Sequence, residues 1–181
     1  MQMDEGLDTG PMLAKASLDI GYDETAQQLH DRLAALGGEL LAENLDDLVN
    51  GRLTPDAQDN EQSTYANLIK KTDGELNWKE PAIVLYRRLR SFTPWPGVFT
   101  KWNGKNLKIL SATPFTTENP LGEVGEVVSW DGEAAVQTSS GLLRLHSVQL
   151  AGKKATRVAD FVRGRSDFIG SQLLTTDNID T

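Results

Sequence analysis

The chain has 181 residues, 39% of them hydrophobic and 24% charged, which is material for one good-sized domain or two small ones. With no cysteine and two histidines, it cannot form disulfides, a thiol nucleophile, a thiolate metal site or a histidine-rich metal centre. The net charge of −8 is uneven: residues 1–60 carry 3 basic and 13 acidic side chains, residues 61–170 carry 15 and 11, so the two portions are expected to meet different partners.

No apolar run reaches spanning length and the first residues lack a secretion pattern, so neither a membrane nor a metal is expected and the cytoplasm is the default. Residues 1–3 suit the end of a strand. Asp4 to Gly10 is an acidic loop with glycines at positions 6 and 10, and Pro11 restarts an extended stretch from Met12 to Ile20. A strand that short needs neighbours to pair with, so the chain reads as the back part of something longer. Read from its residues alone, the loop is a glycine-bearing turn with solvated carboxylates. Thr25 to Gln28 then forms a capping box, followed by Leu29, Leu33 and Leu36 at helical spacing. Gly37-Gly38 predicts a break or kink, after which a second helix carries Leu40, Leu41, Leu45 and Leu48 to a stop at Asn50-Gly51. His30 is expected to be structural or to face solvent.

Residues 51–64 have the polar, Pro-containing composition of a linker. Thr64 to Lys71 follows as a short segment ending in Lys70 and Lys71, and Glu75 to Trp78 reads as extended. Pro81 then opens a basic helix, with Leu85, Leu89 and Phe92 spaced for one buried face and Arg87, Arg88 and Arg90 standing off it. Pro94 and Pro96 stop this helix, and Trp95 and Trp102 are expected to plug the lower end of a small barrel.

From Gly97 the period changes to two. Asn103-Gly104 and Asp131-Gly132 supply the positive φ values of tight primed turns, so two hairpins are predicted around them. Strands near 98–102, 107–113, 125–130, 134–138 and 142–150 should close into one antiparallel barrel. Val98 or Phe99, Leu110, Val127 or Val128, Val136 and Leu145 should lie inside. In the last strand, Leu143, Leu145 and Ser147 are expected on one face and Leu142, Arg144, His146 and Val148 on the other. The following loop presents Lys153 and Lys154, Val158 to Arg163 makes a last short helix, and the chain after Ser171 is polar and expected to fray.

Three stretches carry a resemblance. MDEGLDTGPML resembles the end of the catalytic domain of the methionyl-tRNA formyltransferases, in the folate-dependent formyltransferase superfamily. RSFTPWPGVFT is similar to that family's Phe-X-Pro-Trp-Pro-Gly corner, and LAGKKA to its Gly-Lys-Lys loop, in the same order and with TYANLIKK and ELNW between them. The resemblance implies an α+β chain: the C-terminal remnant of a doubly wound α/β formyltransferase domain (1–50), a linker (51–80), a small antiparallel OB-like barrel with flanking helices (81–174) and a flexible tail (175–181).

The implied activity is transfer of a formyl group from 10-formyltetrahydrofolate to the amino group of methionyl initiator tRNA. By the same likeness Asp8 matches the catalytic aspartate, while Asp4, Glu5, Gly6, Leu7 and Asp8 would curl over the pterin. Lys70, Lys71, Arg87, Arg88, Arg90, Lys153 and Lys154 would face tRNA, chiefly its phosphates. The family's catalytic asparagine and histidine, placed upstream of that aspartate, are not in this sequence. The chain alone is therefore expected to be inactive and to depend on a separate N-terminal half. The intact family is expected to be monomeric, whereas unpaired strand edges in residues 1–20 invite self-association. Two other readings stand beside this one: a stand-alone RNA-binding barrel, or part of a sugar-nucleotide formyltransferase or formyltetrahydrofolate hydrolase.

Overall fold

The computed structural model describes residues 1–175. They form two compact units, Met1–Leu68 and Ile69 onward.

In the first unit one helix, α1 (Ala26–Val49), dominates. Its start follows the predicted capping box: the Thr25 hydroxyl accepts from the Gln28 N–H, and the Gln28 side chain accepts from the Thr25 N–H. The expected break at Gly37-Gly38 does not occur. A glycine costs a helix about 1 kcal/mol relative to alanine but, unlike proline, keeps its N–H, so the pair weakens the helix without interrupting its hydrogen bonds. None of the α1 residues is fully buried, and Leu33, Leu41, Leu45 and Leu48 stand exposed along it. Residues 1–3 form no strand. The opening stretch is tied down instead by the Gln2 N–H on the Pro11 carbonyl and by an isolated antiparallel bridge between Met12 and Asp56.

The second unit is built on an antiparallel sheet. After a 3₁₀ turn at Lys71–Gly74 come helix α2 (Ala82–Ser91) and the strands β1 (Val98–Trp102), β2 (Lys105–Phe115), β3 (Val127–Trp130), β4 (Glu133–Gln137), β5 (Leu142–Leu150) and β6 (Thr156–Arg157), then helix α3 (Val158–Arg163). Both predicted hairpins are present, with Asn103 and Gly104 at φ 47° and 70° and Asp131 and Gly132 at φ 51° and 75°. The ladder runs β1-β2-β5-β4-β3, with β6 beside β5.

This corrects the expected closure, because β1 and β3 lie at opposite ends of the path and do not pair with each other. The chain at 170–174 reaches both of them. Leu174 exchanges backbone hydrogen bonds with Lys101, and Gly170, Ser171 and Leu173 bond to Val127 and Gly125. Residues 171–174, which were expected to fray, are thus held in the fold, with Leu173 buried. Of the tail expected at 175–181, Thr175 alone lies among the described residues.

One continuous core fills the sheet's inner face. Leu85 and Leu89 of α2 are buried, as the helical spacing predicted, with Phe92 half-buried at the cap, and Ala82 is buried as well. Leu76 and Trp78 join the same cluster, Leu76 through an N–H bond to the Phe99 carbonyl and Trp78 through its indole N–H on the Thr100 hydroxyl. Trp102 meets Phe161 and Phe168 edge-on, with ring centroids 5.4 Å away in each case, and its indole N–H donates to Ser171. Both buried indoles are thereby satisfied, which removes the penalty an orphaned donor would carry.

Three expectations about facing fail here. Trp95 does not plug the sheet: it is 60% exposed, against 5% for Trp102. Leu110 points outward, and Leu107 and Ile109 take the inner positions. Val148 is buried with Leu143 and Leu145, not opposite to them. The last two share a cause. The β2–β5 register shifts between Ile109, Ser111 and Ala112, whose partners are Val148, Ser147 and Leu145, and such a bulge reverses the alternation on one side of it.

Candidate functional site

The acidic loop is an ordered turn. The Asp4 carboxylate accepts from the Gly6 N–H at 3.0 Å and from the Thr9 hydroxyl at 2.6 Å, fixing the curl through Glu5, Gly6 and Leu7. Asp8 sits at φ 56°, in the left-handed region that aspartate enters more readily than β-branched residues. The Gln58 amide clamps this geometry by donating to the Asp8 and Gly10 carbonyls. Leu7, Asp8 and Met12 then form one wall of a cavity of about 640 Å³, with Gln58, Asn60 and Tyr65 opposite. Asp8 is exposed, and the lining mixes apolar groups with the Gln58, Asn60 and Gln62 amides, the Asp59 carboxylate and the Thr9, Ser63 and Thr64 hydroxyls.

Such a cavity fits a flat heterocycle with a polar edge, and Asp8 can orient a donor or accept a proton there. Neither histidine of the chain lines it. His30 is exposed on α1 beside Asp31, and His146 lies in β5, its ring nitrogen 2.7 Å from the Thr113 hydroxyl. Burial holds the His146 imidazole below its ordinary pKa; the Arg144 charge adds to this and Glu133 opposes it.

The seven predicted cations divide in two. Lys70 and Lys71 flank the 3₁₀ turn with exposed side chains, and Lys153 and Lys154 are exposed on the β5–β6 loop. Lys71 lines a cavity of about 380 Å³ together with Lys108, Ala151 and Gly152, whereas Lys153 and Lys154 line a separate one of about 260 Å³ with Phe161 and Arg165. The arginines of α2 behave differently. Arg87 is exposed, but Arg88 is half-buried and pairs with Glu80 at 3.0 Å, and Arg90 lies over the Tyr86 ring at 5.2 Å. Among the described residues no three His, Asp or Glu side chains cluster to hold a metal, and no helix is long and apolar enough to cross a membrane.

With this geometry described, comparison with known proteins decides the family. The model of the formyl transferase C-terminal domain matches residues 68–166, and that of formyl transferase matches residues 1–45. The chain belongs to the formyl transferase family.

Curated relatives of this formyl transferase chain include methionyl-tRNA formyltransferases from Geobacter metallireducens, 44% identical, and Anaeromyxobacter dehalogenans, 46% identical. Each alignment covers 91% of this chain, and 52% and 54% of the relative. The chain thus spans about half the length of the curated relatives it matches. Among solved structures, HypX from Aquifex aeolicus in complex with tetrahydrofolic acid superposes with a TM-score of 0.65 at 16% identity, over 92% of this chain and 29% of that one. An N-formyltransferase from Helicobacter canadensis superposes with a TM-score of 0.58 at 18% identity, over 79% and 52%. These likenesses establish the mixed α/β fold with its antiparallel sheet.

Several residues around the lysine-bordered depression escaped the sequence reading: Lys108, Asn106 and Gln149 as lining groups, and Phe99 as an outward one. One signal was available. Val98, Thr100 and Trp102 fill the inward positions of β1, so alternation leaves Phe99 as an aromatic on the solvent side.

Proposed function

We propose that this formyl transferase chain is the C-terminal portion of a methionyl-tRNA formyltransferase, which moves a formyl group from 10-formyltetrahydrofolate to the amino group of methionyl initiator tRNA. The observation that carries this is the 44–46% identity to two such enzymes over 91% of the chain. In the reaction the methionine nitrogen attacks the formyl carbon, the bond from that carbon to the folate nitrogen breaks, and the amine proton is passed on. The oxyanion that develops needs hydrogen-bond donors, and the departing proton needs an acceptor.

Asp8 is the residue of this chain assigned to the second task. The curl from Asp4 to Asp8 borders the pterin, and the neighbouring cavity has the size and mixed lining such a ring requires. Lys70, Lys71, Lys153 and Lys154 position the tRNA through its phosphates, with Arg87, Arg88 and Arg90 as the flanking helix. The sheet of the second unit works as an OB-like barrel in which 170–174 is the last stave, and the reaction takes place in the cytoplasm. Sugar-nucleotide formyltransferases share the acidic loop; the exposed Lys70, Lys71, Lys153 and Lys154 favour a polyanionic substrate over that reading.

The test is formyl transfer to charged initiator tRNA, by this chain alone and with the remaining half of a relative supplied as a second polypeptide. Silence alone, activity on complementation and its loss in Asp8→Asn are expected. Activity of the chain alone would overturn the dependence on a second half, and full activity of Asp8→Asn would overturn the role of Asp8.

A further inference from the structure

We infer that the depression lined by Lys71, Phe99 and Lys108 is a subsite for one unpaired nucleotide of an RNA chain, with its base stacked on Phe99. The inference rests on the tRNA reading above and adds to it a base-binding contact where only phosphate contacts were assigned.

The register builds the subsite. Phe99 of β1 pairs across to Lys108 of β2, and Lys108 pairs across to Gln149 of β5, so an aromatic, a cation and an amide lie in one row over three adjacent strands. Their chain neighbours Val98, Leu107, Ile109, Val148 and Leu150 are buried, so the row faces outward. Pro96 and Lys71 complete the walls of the 380 Å³ cavity, a volume within the range of about 300–1,000 Å³ typical of small-ligand sites.

The lining fits a nucleotide better than a peptide or a bare phosphate. The half-buried Phe99 supplies flat apolar surface, which a lone phosphate would not need. Asn106 and Gln149 bring amides for a base edge, and the Gln149 NH₂ already donates to the Lys153 carbonyl at 2.9 Å, which holds that side chain in place. None of the lining residues is acidic, while Lys71 and Lys108 stand at the rim, so the ligand is anionic. Gly152 lines the cavity and Lys153-Lys154 continue the same loop into a neighbouring one, which places further cations for the RNA backbone on that side. A recess of this kind takes a base out of its stack, as single-stranded RNA readers do; a continuous duplex would touch the rim alone.

The experiment measures affinity by fluorescence anisotropy for labelled initiator tRNA, a single-stranded hexanucleotide and a blunt RNA duplex, across a salt series. The proteins are the wild-type chain, Phe99→Leu and Phe99→Trp, with thermal melting confirming that each is folded; Leu keeps the apolar bulk and removes the ring. Loss of a base stack weakens binding about tenfold or more, so Phe99→Leu should lose that much for tRNA and hexanucleotide, with the salt slope unchanged and the duplex unaffected. Phe99→Trp should restore it. Ultraviolet cross-linking of the hexanucleotide should map to the peptide containing Phe99. Wild-type tRNA binding with steep salt dependence that Phe99→Leu leaves within about twofold would overturn the subsite and leave the tRNA reading standing. An equal loss on the duplex would also overturn it. Failure of the wild-type chain to bind tRNA would overturn both.

Discussion

Leu76 lies in a polar stretch, between Glu75 and Asn77, yet no part of its surface reaches solvent. Its backbone is pinned by the N–H bond to the Phe99 carbonyl at 2.8 Å and by the parallel bridge of Glu75 to Phe99, so the site cannot collapse inward when the side chain is cut back. Leu→Ala at buried sites costs about 2–5 kcal/mol, the spread reflecting how well the surroundings relax. A pinned backbone puts Leu76→Ala in the middle of that range or above, at about 3–4 kcal/mol. For a unit of this size about 1 kcal/mol shifts the melting temperature by roughly 4–6 °C, so a fall of about 12–24 °C is expected. Leu68→Ala is the control. That leucine is 86% exposed in a stretch of similar composition, and its loss should stay within about 0.5 kcal/mol. Urea unfolding followed by tryptophan fluorescence reads Leu76→Ala, because the buried Trp78 reports on the same core, and circular dichroism reads Leu68→Ala in the first unit. A cost below about 1 kcal/mol for Leu76→Ala would refute the placement of this segment in the core.

Gly141 holds φ 79°, and a Cβ there would lie 2.2 Å from the Phe115 carbonyl oxygen, so Gly141→Ala should cost about 3 kcal/mol or more in urea unfolding. Replacing Lys153 and Lys154 together should lower the slope of log affinity against log salt for tRNA by about one to two; an unchanged slope would remove this loop from the phosphate contacts. For His146 the sign is fixed by the direction of the shift: the folded pKa lies below the ordinary 6.5, so in acid the unfolded chain takes a proton that the folded one does not. Its contribution is therefore present above pH 6.5 and lost as the pH falls below it. His146→Gln should flatten that part of the urea midpoint profile, and an identical profile in the variant would refute the assignment.

Local chemistry was readable wherever a residue type is tied to one backbone state. The Asn103-Gly104 and Asp131-Gly132 turns, the Thr25 cap and helix α3 followed from φ preference, capping and spacing. Features set by the whole assembly were not. Alternation predicted Leu110 inside and Val148 opposite Leu145, because a bulge leaves no mark in composition. Gly37-Gly38 looked like a stop, although glycine weakens a helix without removing a hydrogen bond. Trp95 and Trp102 sit close together in sequence, yet one faces water and the other the Phe161–Phe168 pair, a choice made by α3 and by residues far along the chain. In the candidate site, the cations were visible as residue types. That Arg88 is taken up by Glu80, while Lys71 shares a depression with Gly152, depends on tertiary contacts.

The stretch 170–174 has a consequence for synthesis. Its Leu174 carbonyl meets the Thr100 hydroxyl across 74 positions of chain, so β1 leaves the ribosome long before the residues that cover its free edge exist. β3 waits as well, for Ser171 and Gly170. Contacts of such sequence separation form only after the loop entropy between them has been overcome. A nascent chain halted before Gly170 therefore carries a bare β3 edge and a β1 edge covered only at Phe99 by Glu75 and Leu76, each a template for another chain, and becomes a substrate for chaperones or aggregation. Folding of the second unit is thereby coupled to the synthesis of residues 170–174.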